Sequence, residues 1–331
     1  MSNHIKFPVC VRCFTFNHAP YIKDAMDGFC MQQTSFPFVC VIVDDASTDR
    51  EQEVIKSYLA QNFDFDNHEI VRNEETNDYI MTYAQHKTNK NCFFAVYLLK
   101  YNHYSIKKDK FPYFSEFHDN VMYHALCEGD DYWINPNKLQ LQADYLDNND
   151  SCLLCYGKGK RYIQSKQSIS DEVVGKDFVS FEQLIISNTV STMTTMIRSN
   201  AYNEYIQEKK TWGEKRWRMG DYPIWLWCSL NGECHFFDEI FGVYRILDES
   251  ASHSKEINQQ ISFVLDFKEI QLFFINKYSK SSRIKYKVLC RDSFTLLKLY
   301  YRAKSYKLIH CVSQLLYYSF QYSITLFGKE K

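Results

Sequence analysis

The stretch Phe38-Val39-Cys40-Val41-Ile42-Val43-Asp44-Asp45-Ala46-Ser47-Thr48-Asp49 decides the fold. Its first six residues form a continuous apolar run, the pattern of a parallel strand buried on both faces. The run stops at two acids and a polar turn. Thr48, with Glu51 three residues later, reads as a capping box opening a helix whose inner face is Val54, Ile55, Tyr58 and Leu59. Upstream, residues 8–14 read as a strand, and Ile22, Ala25, Met26, Phe29 and Cys30 recur at helical spacing behind Pro20. Strand, helix, strand, helix predicts an α/β fold around a parallel sheet.

Further along, a weaker strand is expected at 68–72, followed by an irregular, polar, lysine-containing stretch over 73–118 with a helix near its middle. Residues 121–127 read as another strand, running straight into Glu128-Gly129-Asp130-Asp131-Tyr132-Trp133. Asn135-Pro136 then opens a helix with Leu139, Ala143 and Leu146 turned inward. Two acidic clusters therefore sit at the carboxyl ends of apolar strands, where open α/β sheets place their ligands. Crowded carboxylates need a cation to neutralise them, and an all-oxygen set suits Mg²⁺ or Mn²⁺ better than zinc. The sequence contains neither G-x-x-x-x-G-K-[ST] nor G-x-G-x-x-G, so the metal is expected to carry a phosphate-bearing ligand. An isolated Asp pair commonly does no more than end a strand and cap a turn. The second cluster at Asp44 and Asp45 weighs against that reading.

The 331-residue chain is 45% apolar and 24% charged with 10 Gly and 6 Pro, which excludes a disordered, collagenous or low-complexity chain. Its net charge of −1 argues against a general nucleic-acid binder but is uneven: residues 276–331 hold 12 Lys or Arg against Asp292 and Glu330. The 12 cysteines are scattered from Cys10 to Cys311 behind an N-terminus without the pattern of a secretory signal, so reduced thiols in a cytoplasmic compartment are expected. The two C-x-x-C pairs, Cys10 with Cys13 and Cys152 with Cys155, lie in strand-like runs that turn residues three apart to opposite faces, favouring core packing over zinc.

These motifs resemble the inverting glycosyltransferases of family 2 with the GT-A fold, particularly bacterial enzymes that build surface polysaccharide. Val9-Cys10-Val11-Arg12-Cys13-Phe14-Thr15-Phe16-Asn17-His18-Ala19-Pro20-Tyr21-Ile22 is similar to the family's first strand and T-Y-N loop, with Phe16 in place of tyrosine. Residues 43–49 resemble its V-D-D-G-S-T-D signature with Ala46 replacing glycine, and Glu128–Trp133 resembles its D-x-D element in the form E-G-D-D-Y-W. Met219-Gly220-Asp221-Tyr222-Pro223-Ile224-Trp225 resembles the segment carrying the catalytic base, and Asp238-Glu239 with Val243-Tyr244-Arg245-Ile246 the strand that follows it. The likeness spans residues 7–254.

The resemblance implies a GT-A catalytic domain over 1–256, a Rossmann-like nucleotide-binding sheet flanked by helices, with a helical C-terminal extension over 257–331. It implies that Thr15, Phe16, Asn17, Asp44, Asp45, Glu128 and Asp130 hold a nucleotide sugar, a UDP-sugar being favoured. Asp130 and Asp131 would hold Mg²⁺ or Mn²⁺, and Asp221 would act as general base toward a glycan hydroxyl, with a lipid-linked glycan as acceptor. Apart from the family, Asp221 before Pro223 and an apolar run is placed like a helix N-cap, and one carboxylate opposite a leaving diphosphate is what inverting transfer needs. Lys107, Lys108 and Lys110 read as a solvated run, Trp133, Trp212 and Trp217 as core or sugar-stacking aromatics, Asn188, Thr192 and Thr195 as acceptor-site candidates, and His18 as a turn residue.

Behind Ile257 the sequence reads as helices, with Leu308, Val312, Leu315, Leu316, Phe320, Ile324 and Phe327 on one face and Lys298, Arg302, Lys304 and Lys307 flanking it. Ser, Gln, Thr and His within residues 308–327 make a membrane span costly, so an interfacial helix on an anionic membrane, on the inner face of the cell membrane, is favoured. Packing on the catalytic domain or on a second copy in a homodimer is the alternative. A sugar nucleotidyltransferase shares the sheet and metal, but its triphosphate would want a Gly-rich basic first loop that residues 14–18 lack. A glycoside hydrolase needs neither nucleotide nor metal. A membrane-associated nucleotide-sugar-binding protein without turnover is the non-enzymatic reading, and the presence of Asp221 argues against it.

Overall fold

Every residue of Phe38–Asp44 is buried, as the apolar run requires. The computed structural model describes residues 6–118, 121–178, 180–213, 217–247 and 255–327. The first half of the chain contributes β1 (Val9–Thr15), α1 (Ile22–Cys30), β2 (Phe38–Asp44), α2 (Glu51–Asn62), β3 (Phe63–Asp64), β4 (Arg72–Glu75), β5 (Tyr79–His86), β6 (Cys92–Leu99), α3 (Pro112–His118), β7 (Tyr123–Leu126), β8 (Tyr132–Trp133) and α4 (Lys138–Asp147). The second half contributes β9 (Cys152–Ile163), β10 (Ser168–Val174), α5 (Phe181–Ile186), β11 (Met196–Arg198), α6 (Ser199–Lys210), α7 (Tyr222–Asn231) and β12 (Glu233–Ile246). It ends in α8 (Ile257–Phe274), α9 (Ser282–Arg302) and α10 (Lys307–Phe327).

The strands join in one sheet of order β3-β5-β6-β2-β1-β7-β11-β9-β12-β8, with β4 on β5 and β10 on β9. Its centre, β6-β2-β1-β7, is parallel, and Val9 pairs with both Phe38 and Tyr123. Beyond β7 the sheet turns antiparallel through β11. The two faces carry separate cores. Val9, Val11 and Cys13 face α1, α2 and α4, whereas Cys10, Val39, Val41 and Val43 face Tyr113, Phe114 and Phe117 of α3. Cys10 and Cys13 thus lie on opposite sides of the sheet, and Arg12, the charge that interrupts the first strand, is buried with its guanidinium 4.3 Å from the Phe114 ring centre and 4.7 Å from that of Tyr202.

Three expectations need correction. The stretch 73–118 is not an irregular loop with a central helix: it holds β4, β5 and β6, and its helix α3 lies at its far end. Cys92-Phe93-Phe94-Ala95-Val96-Tyr97-Leu98-Leu99 is buried throughout between β2 and β5, and its polar neighbours Lys87, Lys90 and Lys100 belong to the strand ends. Of the strand expected at 68–72 only Arg72 is in β4, because the Asn67 carbonyl accepts from the N–H groups of Ile70 and Val71 and closes a turn. Thr48 and Glu51 form no capping box: Arg50, at φ 73°, precedes α2, and the buried Glu51 carboxylate turns to the β1 loop.

α8 and α9 pack on the second half of the domain, placing Ile270, Phe274 and Val288 in one core with Tyr222, Trp225 and Trp227 of α7. α10 lies against α9 through Cys311 and Leu308. Its other side leaves Ile309, Val312, Leu316, Phe320 and Ile324 exposed. Among the described residues no helix is long and apolar enough to cross a membrane.

Candidate active site

β1 and β2 run parallel and end side by side, so the loops that leave them must meet. They are clasped by side chains. The Glu51 carboxylate accepts from the Thr15 hydroxyl, from the His18 N–H at 2.8 Å and from the Ser47 hydroxyl at 2.8 Å. Asn17 Oδ1 accepts from the Thr48 N–H at 2.8 Å, and Asp49 Oδ2 from the Ala19 N–H at 2.9 Å. Burial pushes the Glu51 carboxyl up to about 7 against these hydrogen bonds. Asn17 and Ala46 both hold positive φ, 57° and 59°, an ordinary conformation for asparagine and a costly one for alanine.

β7 delivers the third loop. Gly129 donates its N–H to the Phe14 carbonyl, and a Cβ there would lie 2.1 Å from Thr15 Oγ1, so only glycine lets the acidic loop lie against β1. Arg245 of β12 clamps the loop from the other side: its backbone N–H donates to Asp131 Oδ1 and its Nε to the Asp130 carbonyl, both at 2.8 Å, and its guanidinium continues to Asp24. Burial, then the charges of Asp130 and Asp221, push Glu128 up to about 8, and burial with the Asp130 charge raises Asp131.

The fourth element is α7, whose N-cap is Asp221. Asp221 Oδ1 accepts from the Tyr222 N–H at 2.7 Å and Oδ2 from the Thr192 hydroxyl. The turn that carries Thr192 is held from behind, its Met193 carbonyl by Trp133 Nε1 and its Thr194 and Thr195 carbonyls by Gln142 and the fully buried Lys138.

These elements line one open cleft of 2820 Å³. Of the residues expected at the site it brings together Phe16, Asn17, Glu128, Asp130, Asp131 and Asp221, with His18, Asn188, Thr192 and Trp217 beside them. Thr15, Asp44 and Asp45 are not in its lining. Thr15 is committed to Glu51, Asp44 Oδ1 accepts from the Ser47 N–H and Gln52, and Asp45 accepts from the N–H groups of His103 and Tyr104 and pairs with Lys110 at 2.9 Å. Lys110 is therefore no solvated lysine, and Lys108 pairs with Asp78 at 2.5 Å. Trp133 and Trp212 are core residues. Among the described residues no three His, Cys, Asp or Glu side chains converge into a preformed metal cage. Sequence patterns do not reveal Glu51 and Arg245 in these roles: Glu51 carries only the signal of a local cap, and Arg245 lies inside the V-Y-R-I segment with nothing local to mark it.

Comparison with known proteins gives these motifs a context. Residues 11–81, running from within β1 to within β5, match the family model described as glycosyl transferase family 2. Uncharacterized protein Rv1520 of Mycobacterium tuberculosis and uncharacterized protein Mb1547 of Mycobacterium bovis are each 30% identical over 189 residues, 56% of this chain and 45% of theirs. The chain thus spans about half the length of the curated relatives it matches. Among solved structures, S. aureus TarS superposes with a TM-score of 0.50 at 15% identity, covering 86% of this chain and 43% of TarS, a likeness of fold.

Proposed function

We propose that this chain, a family 2 glycosyltransferase of GT-A fold, moves a sugar with inversion from a nucleoside-diphosphate sugar, a UDP-sugar being favoured, to a glycan hydroxyl. The observation that carries the reading is that Asp221 lines the same cleft as Glu128, Asp130 and Phe16, three sequence segments that only the fold brings together. A donor held by the first and third loops faces a carboxylate across the cleft, and the cleft's 2820 Å³ leaves room for a second substrate.

The acceptor oxygen attacks the donor's anomeric carbon, its proton passes to the Asp221 carboxylate, and the bond to the diphosphate breaks on the opposite face. Tyr222 N–H and the Thr192 hydroxyl each hold one Asp221 oxygen, fixing the carboxylate while leaving lone pairs to take the proton. Phe16, 42% exposed in the cleft, offers its ring to the base of the nucleotide.

The acidic loop suits a divalent cation, because the Asp130 charge bears on both Glu128 and Asp131 and all three line the cleft, with Lys110 offsetting part of the charge at Glu128. Asp130, with Asp131 beside it, would hold Mg²⁺ or Mn²⁺ together with the donor's diphosphate. When bound, the metal supplies charge stabilisation to the departing diphosphate.

The acceptor is assigned to a lipid-linked glycan of a bacterial surface polysaccharide, at the inner face of the cell membrane. The exposed apolar stripe of α10 and the lysines and arginines at its start support that site, as they suit an anionic interface. Asp221→Asn tests the base. Transfer is expected to fall by at least a hundredfold with nucleotide binding retained, and undiminished transfer would overturn the assignment.

A further inference from the structure

The first cleft loop holds a side chain that a reading by sequence assigns to a turn. His18 lines the cleft, and its Nε2 stands 3.9 Å from Asp130 Oδ2, beyond hydrogen-bond reach. Its other ring nitrogen, Nδ1, lies 3.3 Å from Thr15 Oγ1. The Thr15 hydroxyl has one proton, which it donates to the Glu51 carboxylate. Its oxygen is then left to accept, so the network places a proton on Nδ1 and leaves Nε2 as the ring nitrogen beside Asp130. A cation belongs between that nitrogen and the carboxylate, and 3.9 Å is longer than a shared proton spans.

We propose that His18 Nε2 and Asp130 Oδ2 are ligands of one divalent cation, with Glu51 and Thr15 setting the tautomer of His18 from behind. Metal bonds of about 2.1 Å place two ligand atoms on one cation roughly 3.0 Å apart at a right angle and at most about 4.2 Å apart in line. The observed 3.9 Å falls inside that range. Both sides are held as metal ligands are: Glu51 also accepts the backbone N–H of His18, and Arg245 fixes the carbonyl of Asp130. His18 and Asp130, with Asp131 beside them, do not make a closed cage, and the remaining positions would be open to diphosphate oxygens and water. A nitrogen ligand also makes the site discriminate, favouring Mn²⁺ or Co²⁺ over Mg²⁺.

The inference rests on the metal-dependent reading above, and one experiment separates the two. Mn²⁺ and UDP are added to the protein, and electron spin-echo modulation is recorded for the wild type, His18→Gln and Asp130→Asn. The wild type is expected to show ¹⁴N coupling from one imidazole, and His18→Gln to lose that coupling and to bind Mn²⁺ on the order of 10-fold more weakly. Asp130→Asn is expected to lose the bound ion. His18→Asp, which restores an oxygen ligand, is expected to shift the preference toward Mg²⁺. Bound Mn²⁺ without ¹⁴N coupling, or coupling that persists in His18→Gln, overturns the role of His18 and leaves the metal at Asp130. No bound Mn²⁺ in the wild type overturns both.

Discussion

Arg245 Nε donates to the main-chain carbonyl of Asp130 at 2.8 Å, so a residue of β12 fixes the backbone of an acidic loop 115 positions earlier in the chain. The same residue's N–H holds Asp131, and its guanidinium, 6% exposed, lies among the rings of Tyr21, Tyr132 and Tyr162. Arg245→Met keeps the backbone bond and much of the packing but removes the guanidinium. It is expected to cost about 2–3 kcal/mol of stability and to weaken nucleotide binding. Chemical denaturation alongside calorimetric titration reads both, and unchanged nucleotide affinity would show that the clamp does not position the loop.

Ala46 stands at φ 59° in the turn between β2 and α2. A left-handed conformation costs an L-residue roughly 1–2 kcal/mol, and glycine escapes most of that. Ala46→Gly is therefore expected to stabilise the protein by about 1 kcal/mol, seen as a higher midpoint in urea. A lower midpoint would contradict the strained turn.

The close approach of Gly129 to Thr15 makes a paired prediction. In Gly129→Ala the new methyl meets Thr15 Oγ1 at 2.1 Å and Thr15 Cβ at 2.6 Å, an overlap expected to cost about 1–3 kcal/mol. In a Thr15→Ala background, where Oγ1 is gone, the same change should cost less. Equal cost in both backgrounds would place the strain elsewhere.

Much of this architecture is legible in the sequence because it is written in local periodicity. β1, β2, α1 and α4 follow from apolar runs and helical spacing. β6 has the same kind of run, yet lysines at its borders lend the surrounding stretch a polar average that conceals eight buried residues. Asp221 is legible because an acid before Pro223 and an apolar run is a local pattern. The partners of Glu51 and Arg245 are not local: Glu51 joins Thr15 across 36 positions and Arg245 joins Asp131 across 114, and no spacing rule connects them.

Lys138 gives the fold a pH signature. It is fully buried, donates to Gln142 and to the Thr195 carbonyl, and burial lowers it to about 7. Its unfolded value is about 10.4, so between those pH values the unfolded chain binds the extra proton and this residue's contribution to stability rises with pH. Urea midpoints of the wild type minus those of Lys138→Met should therefore increase from pH 7 to pH 9, and parallel curves would contradict a neutral buried amine.

Metal-dependent capture of a nucleoside-diphosphate donor by the acidic loop is read by calorimetric titration of UDP, GDP, dTDP and CMP into the wild type and Asp130→Asn, each with and without Mn²⁺. One diphosphate, UDP foremost, is expected to bind only with the metal, and Asp130→Asn is expected to lose that binding. Binding equally strong without metal, or undiminished in Asp130→Asn, would contradict it.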